Sequence, residues 1–459
     1  MQPDLLIRDH LQRFLAGRSV IVLCGREDDA SAWQRLLGRE RADRCLTIAL
    51  DAAARGQHNR LAAGATGHLA WQHDVIAGLN GSGWLARAAN AYDPDRRAAL
   101  LLPDPLDPPE AGTRSRIGRR HAAWRLLEDK TAVDTVWDML GVPRAPSIVT
   151  DLATDLQALG DLVDVGSGVV CSLQSDGTPK AGADGVCWWR SGEPPRIATG
   201  QLAGRARLRL MPLIEGQPIR LHGLVLPRSI VAFPPMEVVA LPRTEHGTFL
   251  CAGAVSMLDD VIDLTRQTEH IGNALRGQLG YLGAFSADGI RSDSGFIPTD
   301  LNPRLTSAIE DSPSHLRVLL QATNLLVREG IDPGPDLAEL LSTGIFDRRS
   351  EHTIYGATIR APEGVECNVD VRWDGEGLVA LRGGEPAGHL TLAPSPRGWQ
   401  LTARLAVDHL PVTGPLGPLA VEVFRFSDRI WGTDFGELAP PFGLRSYRTP
   451  AVRGPTKGG

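Results

Sequence analysis

Lysine is nearly absent from this chain. Lys130, Lys180 and Lys457 are the only three in 459 residues, and arginine supplies almost all of the positive charge. A step that needs an ammonium group therefore has very few candidates. Cysteine is also scarce, and Cys24, Cys45, Cys171, Cys187, Cys251 and Cys367 are scattered, with no Cys-x-x-Cys pair. That spacing signals neither a zinc site nor a disulfide framework, and a reduced, cytoplasmic setting fits it. No apolar run approaches the length of a membrane span. The start, Met1-Gln2-Pro3-Asp4, does not lead from a basic stretch into an apolar core, so no signal peptide is expected. A net charge of -6 gives no reason to expect nucleic acid or an anionic membrane as partner. Gly-x-Ser-x-Gly and Walker A runs are missing too, and Gly25-Arg26-Glu27 does not continue as a dinucleotide fingerprint.

The length exceeds one core and suggests about two to four domains. Residues 5–17 read as a helix carrying Leu5, Leu6, Leu11 and Leu15. Residues 19–25 and 98–103 read as buried strands and 45–51 as a strand-like run, and strands alternating with helices suggest a small parallel sheet. Residues 103–120, rich in Pro, Gly and Arg, read as a connection. After Lys130 comes a helix with Ala132, Val133, Val136, Trp137 and Leu140 on one stripe, stopped at Gly141. Residues 168–174 and 186–189 read as strands either side of a glycine-rich loop, 175–185, that contains Lys180. Free backbone N–H groups in such a loop suit phosphate. Residues 265–279 and 312–329 read as helices, the second with Ser312-Pro313 as its start signal. Beyond about residue 345 short β-like runs dominate, including 354–359, 369–373, 390–392 and 420–426.

Residues 280–289 and 296–304 are two strand-like runs joined by the polar turn 291–295, which predicts a hairpin. Asp288 leaves the first run. Asp300 and Asn302 lie two apart on the second and so share a face, with Arg304 two further on. Two carboxylates and an amide oxygen suit a hard cation such as Mg²⁺, which is commonly held by one or two carboxylates plus substrate phosphates.

Acidic-x-Asn-Pro-Arg, about a dozen residues after a Gly-x-x-Gly…Asp strand, resembles the metal end of ATP-grasp ligases. The resemblance covers roughly residues 120–330. It implies that Asp288, Asp300 and Asn302 hold Mg²⁺ on ATP, and that Arg304 stabilises the charge on an acylphosphate or its adduct. Lys130 matches the family's first ATP-binding lysine. Where many members carry a second lysine, this chain has Gln174; Lys180 in the loop could supply that charge instead. Residues 208–219 resemble the nucleotide hinge, with Pro218 where many members place a ribose-binding Glu and Glu215 as the nearby acid. His222 and Glu237 follow on strand-like runs, and Thr306 and Ser307 come just after Arg304.

The resemblance implies an α/β and α+β multidomain fold. Residues 1–118 would be a small α/β pre-grasp domain and 119–340 the ATP-grasp module, its lid-bearing part 119–205 and its nucleotide and metal part 206–340. Residues 345–452 would be a β-rich domain, and 453–459 a disordered tail. The activity implied is ATP-dependent coupling of a small-molecule carboxylate to an amine, forming an amide or peptide bond. A nucleotide-binding protein without catalysis, a ligase with another acceptor, and a homodimer are left open.

Overall fold

The computed structural model describes residues 3–38, 44–51, 65–106, 108, 113–151, 155–175, 183, 185–190, 192–193, 206–257, 261–306, 309, 312–337, 351–358, 360, 362, 366–395, 398–410 and 414–441. Among these residues, three sheets organise the chain.

The first sheet is built from α1 (Pro3–Phe14), β1 (Val20–Cys24), α2 (Glu27–Leu37), β2 (Cys45–Ala49), α3 (Ala65–Ala77), α4 (Trp84–Tyr92), β3 (Ala99–Leu101) and β4 (Arg116–Ile117). Its strands run in the order β2-β1-β3-β4 and all pair in parallel. A parallel sheet is covered on both faces, and the apolar residues of β1 divide accordingly. Val20, Val22 and Cys24 pack toward α1 and α2. Ile21 and Leu23 pack with Ile76 and Leu85 of α3 and α4. The connection expected over 103–120 contains β4, two residues too short to register as a periodic pattern.

The second sheet belongs to α5 (Ala122–Arg125), α6 (Val133–Leu140), β5 (Ile148–Asp151), α7 (Leu156–Val163), β6 (Val169–Ser175), β7 (Val186–Trp189), β8 (Ala206–Pro212), β9 (Gln217–Val225), β10 (Ile230–Arg243), β11 (Thr248–Ser256), α8 (Ile262–Leu279), β12 (Gly283–Ser292) and β13 (Gly295–Asn302). Its strands run in the order β13-β12-β9-β10-β11-β7-β6-β8-β5. The helix α6 puts Val133, Val136, Trp137 and Leu140 against Ile219, Leu221, Phe285 and Leu301. Full burial of each such side chain contributes about 1.5–3 kcal/mol. The two ends of this sheet meet. Arg209 of β8 bonds Asp134 of α6 through Nε at 2.7 Å and donates from Nη1 to the carbonyl of Thr299 in β13 at 2.8 Å.

The helix α9 (Ser314–Arg328) follows β13 but returns to the first sheet, where Val318, Leu319, Ala322 and Leu325 complete the layer begun by α1 and α2. Its start differs from the Ser312-Pro313 expectation. Pro313 is the capping residue, no side chain caps the helix, and the Ser312 carbonyl accepts from Arg317 Nη1 at 2.6 Å.

The third sheet has the order β14-β18-β17-β15-β16, from β14 (Glu351–Thr358), β15 (Cys367–Trp373), β16 (Leu378–Ala380), β17 (Gly388–Ser395) and β18 (Gly398–Ala406). Residues 420–426, read from sequence as a strand, are instead part of α10 (Gly417–Trp431). Val421 and Val423 gave that stretch its β-like look. Its buried residues Leu419, Ala420, Val423, Phe424 and Ser427 follow helical spacing, with Pro418 in the first turn and left-handed Gly432 at the end. This unit packs on β10 and β11 through Val239, Leu241, Leu250 and Ala252. The chain is a multidomain α/β and α+β protein.

Candidate functional site

The hairpin read from the sequence forms as expected. Gly280 ends α8 in the left-handed region at φ +56°, and Gly295 makes the turn into β13 at φ +105°. Asp288 stands opposite Asp300, and Ser286 opposite Asn302. On its other side β12 pairs with β9, which sets Arg220 opposite Asp288 and His222 opposite Ser286. Alternate residues of a strand share a face. Six polar groups therefore form two adjacent rows on one face: Arg220–Asp288–Asp300 and His222–Ser286–Asn302.

Each of the three expected oxygen ligands meets a protein cation. Arg220 holds Asp288 with two bonds, Nε to Oδ1 and Nη2 to Oδ2, the latter at 2.7 Å. Lys130 Nζ lies 2.6 Å from Asp300 Oδ2, and Asp300 Oδ1 accepts the Leu301 N–H at 3.1 Å. Asn302 Oδ1 accepts from Arg304 Nη2 at 3.2 Å. Arg304 Nε in turn donates to Glu128 Oε1 at 2.7 Å, and Arg120 Nη1 donates to the same oxygen at 2.7 Å. Asp129 fixes the approach of Lys130 by accepting from the Thr131 N–H at 2.8 Å and its hydroxyl at 2.7 Å. Because β13 is an outer strand, this turn reaches it at the open edge of the sheet.

Charge states follow from these contacts. Burial pushes the Asp288 carboxyl up, but the Arg220 charge and hydrogen bonds, helped by Lys130, hold it below the usual range. Burial also acts against Glu128, and the Arg120 and Arg304 guanidinium groups overcome it to hold that carboxyl at about 2. His222 is driven down to about 3 by burial and by the Arg220 charge, so it is a neutral imidazole. Behind the site, Asp104 accepts the Leu305 N–H at 2.9 Å and pairs with Arg328 at 2.7 Å, which anchors the chain just after Arg304.

The other expected residues lie elsewhere. Gln174 is half-buried on β6, opposite Arg207 of β8 and six places from β13 in the sheet order. Glu215 is exposed in the turn before β9, where it accepts from the Ser167 hydroxyl at 2.8 Å. Lys180, Ser307 and the tail 453–459 lie outside the described residues. Thr306 and Ser286 are buried hydroxyls with no hydrogen-bond partner among the described residues. Glu237 is a structural link: its carboxylate accepts from Gln217 Nε2 at 3.0 Å and from the Leu416 N–H at 2.8 Å.

Sequence reasoning did not single out Arg220, Glu128 and Arg120. A signal existed for two of them, since Arg220 lies two residues before His222 on one strand and Glu128 two before Lys130. Among the described residues no three Asp, Glu, His or Cys side chains gather into a metal cluster. The donor set is two carboxylates and one amide oxygen ringed by cations, which fits a hard cation that also takes ligands from a polyphosphate.

No protein-family model matches the sequence, and no curated protein matches it. Solved structures do. N5-carboxyaminoimidazole ribonucleotide synthetase from Thermus thermophilus is 14% identical, over 93% of this chain and 96% of that chain, with a TM-score of 0.43. The biotin carboxylase domain of Hydrogenobacter thermophilus 2-oxoglutarate carboxylase, in complex with MgADP and bicarbonate, is 13% identical over 95% and 89%, with a TM-score of 0.46. Biotin carboxylase from Campylobacter jejuni is 12% identical over 96% and 90%, with a TM-score of 0.45. These likenesses are distant. Among the described residues no helix is long and apolar enough to cross a membrane.

Proposed function

We propose that this protein is an ATP-dependent carboxylate–amine ligase of the ATP-grasp type, forming an amide or peptide bond on an amino acid or peptide. One observation carries the reading. Asp288, Asp300 and Asn302 share one face, and Lys130, Arg220 and Arg304 stand at hydrogen-bond distance from them. Oxygen ligands for a hard cation beside groups that bind phosphate oxygens are what phosphoryl transfer requires.

In this reading Asp288, Asp300 and Asn302 hold Mg²⁺ with ATP, and the ion supplies neutralisation of charge on the transferring phosphoryl group. Lys130 binds phosphate oxygens as a point charge. Gln174 would contact phosphate or nucleotide, Lys180 would supply the charge of the family's second lysine, and Glu215 would serve the nucleotide. The substrate carboxylate attacks the γ-phosphorus, the bond to the β-phosphate oxygen breaks, and ADP leaves. An amine then attacks the acyl carbon of the acylphosphate and inorganic phosphate leaves. Arg304 faces the negative charge that develops in both steps, with its guanidinium held by Glu128. Little covalent work falls on the protein, so positioning dominates. The division into residues 1–118, 119–340 and 345–452 goes with this reading. So does a cytoplasmic location, where ATP is at hand and the six free cysteines stay reduced.

The test is release of ADP and phosphate with Mg·ATP across pools of amino acids, dipeptides and other small carboxylates, with and without amines. ADP formation that depends on one acid, and that is lost in Asp300→Asn, supports the ligase. Nucleotide binding with no turnover against any pool favours a non-catalytic nucleotide-binding protein.

A further inference from the structure

The three oxygen groups assigned to the metal already hold cations of the protein itself. Both oxygens of Asp288 are on Arg220, and both oxygens of Asp300 are used, by Lys130 and by the Leu301 N–H. The amide oxygen of Asn302 is on Arg304. These pairs differ from the purely structural one nearby. Arg328 and Asp104 are 0% and 0% exposed, whereas Lys130 and Asp300 keep 14% and 17%, and Arg220 and Asp288 keep 12% and 22%. The pairs at the site remain within reach of solvent and of an incoming ligand.

We propose that this is an ion-exchange site: Lys130 and Arg220 are resident counter-ions of Asp300 and Asp288, Arg304 occupies the Asn302 amide oxygen, and a divalent cation binds together with the polyphosphate that takes these cations over. The inference rests on the nucleotide reading above. Its reason is electrostatic. A divalent ion arriving alone would face three positive groups at close range in a partly buried place, where charges act more strongly than in water. It would also have to displace ion pairs while giving up some of its own water, which Mg²⁺ does reluctantly. A polyphosphate changes the balance, because its oxygens accept the displaced ammonium and guanidinium groups and add ligands to the metal. Metal and nucleotide are then coupled, and the coupling is reciprocal: each tightens the other by the same factor.

The experiment uses the full chain and Mn²⁺ as the probe, titrated by electron paramagnetic resonance with and without ADP, and ADP titrated by calorimetry with and without Mn²⁺. Wild-type protein is expected to bind Mn²⁺ about tenfold or more tightly when ADP is present, and ADP to gain by the same factor from Mn²⁺. Lys130→Gln and Arg220→Gln each remove one counter-ion, so each is expected to bind Mn²⁺ alone about tenfold more tightly than wild type and to lose coupling to ADP. Melting curves with Mn²⁺ alone give a second readout: the variants gain thermal stability and wild type does not. Lys130→Gln carries the test if Arg220→Gln does not fold. Wild-type protein that binds Mn²⁺ equally well with and without ADP overturns the proposal, as do folded variants that bind Mn²⁺ alone no more tightly. Failure of ADP to bind under any condition overturns the nucleotide reading as well, and is seen separately in the ADP titration.

Discussion

Lys130 Nζ lies 2.6 Å from Asp300 Oδ2, an ion pair between residues 170 apart in sequence. Two residues before Lys130, Glu128 receives Arg304 Nε at 2.7 Å. One short turn therefore holds both ends of the segment from Asp300 to Arg304, so Lys130 and Arg304 are set by the same stretch of backbone.

Glu128→Gln tests that turn. The change keeps the shape and removes the charge that fixes Arg304. Acid-dependent ADP formation is expected to fall about 10²-fold, as a small misplacement of a catalytic group can cause. ADP affinity, which the proposed function assigns to Lys130, should change less than about twofold, within the range of a minor surface effect. With its carboxyl held at about 2, Glu128 is ionised at every ordinary assay pH, so the loss should be the same at pH 6 and pH 9. Its folded value lies below the unfolded one, so its stabilisation is complete above the usual carboxylate range and is lost as the pH falls through about 2. Steady-state kinetics and calorimetry check both parts.

Arg209→Met should be the most damaging change remote from the chemistry. Arg209 is 1% exposed, and it ties β8 to Asp134 of α6 and to the Thr299 carbonyl of β13. Removing one partner of a buried pair leaves an unpaired charge and costs about 3–5 kcal/mol. Urea unfolding should show that loss, and Arg209→Met with Asp134→Leu should recover much of it.

Gly118→Ala should destabilise the joint between the first sheet and α9. Gly118 sits at φ +68°, and a Cβ there would lie 2.3 Å from Leu325 Cδ2 and 2.8 Å from its Cα. Left-handed backbone strain and overpacking each cost about 1–3 kcal/mol, so a loss of about 2–4 kcal/mol is expected in thermal unfolding.

His352→Leu should stabilise. His352 is 2% exposed in β14, and neither ring nitrogen has a hydrogen-bond partner among the described residues. Burial pushes its pKa from 6.5 to about 4. The folded state therefore resists a proton that the unfolded chain takes up, and stability is full above about 6.5 and declines as the pH falls toward 4. The leucine variant should gain about 1–3 kcal/mol at pH 7.5 by removing an unsatisfied buried group. Its stability should also vary less between pH 6.5 and 4, which denaturant titrations at the two values measure.

How far the sequence could be read depended on the range of the interaction. Residues 280–304 announced a hairpin through turn residues and two-residue alternation, and β12 and β13 followed. Residues 420–426 misled because two valines in a short window mimic a strand, while the helical burial pattern emerges only over the full length of α10. The juxtaposition of Asp288, Asp300 and Asn302 was legible from the hairpin pattern. The cation on Asp288 was not, because Arg220 meets Asp288 only through the pairing of β9 with β12.

By itself the sequence determined the local pattern of the hairpin over 280–304, and that Asp300, Asn302 and Arg304 succeed one another two by two. It also determined that Lys130 is one of only three lysines able to serve the site. Tertiary structure alone decided that Asp288 faces Arg220, that Asp300 faces Lys130, and that Glu128 holds Arg304. The reason is physical. Alternation along a strand fixes a residue's face, but its partner across the sheet comes from register and curvature, which the packing of the whole core selects.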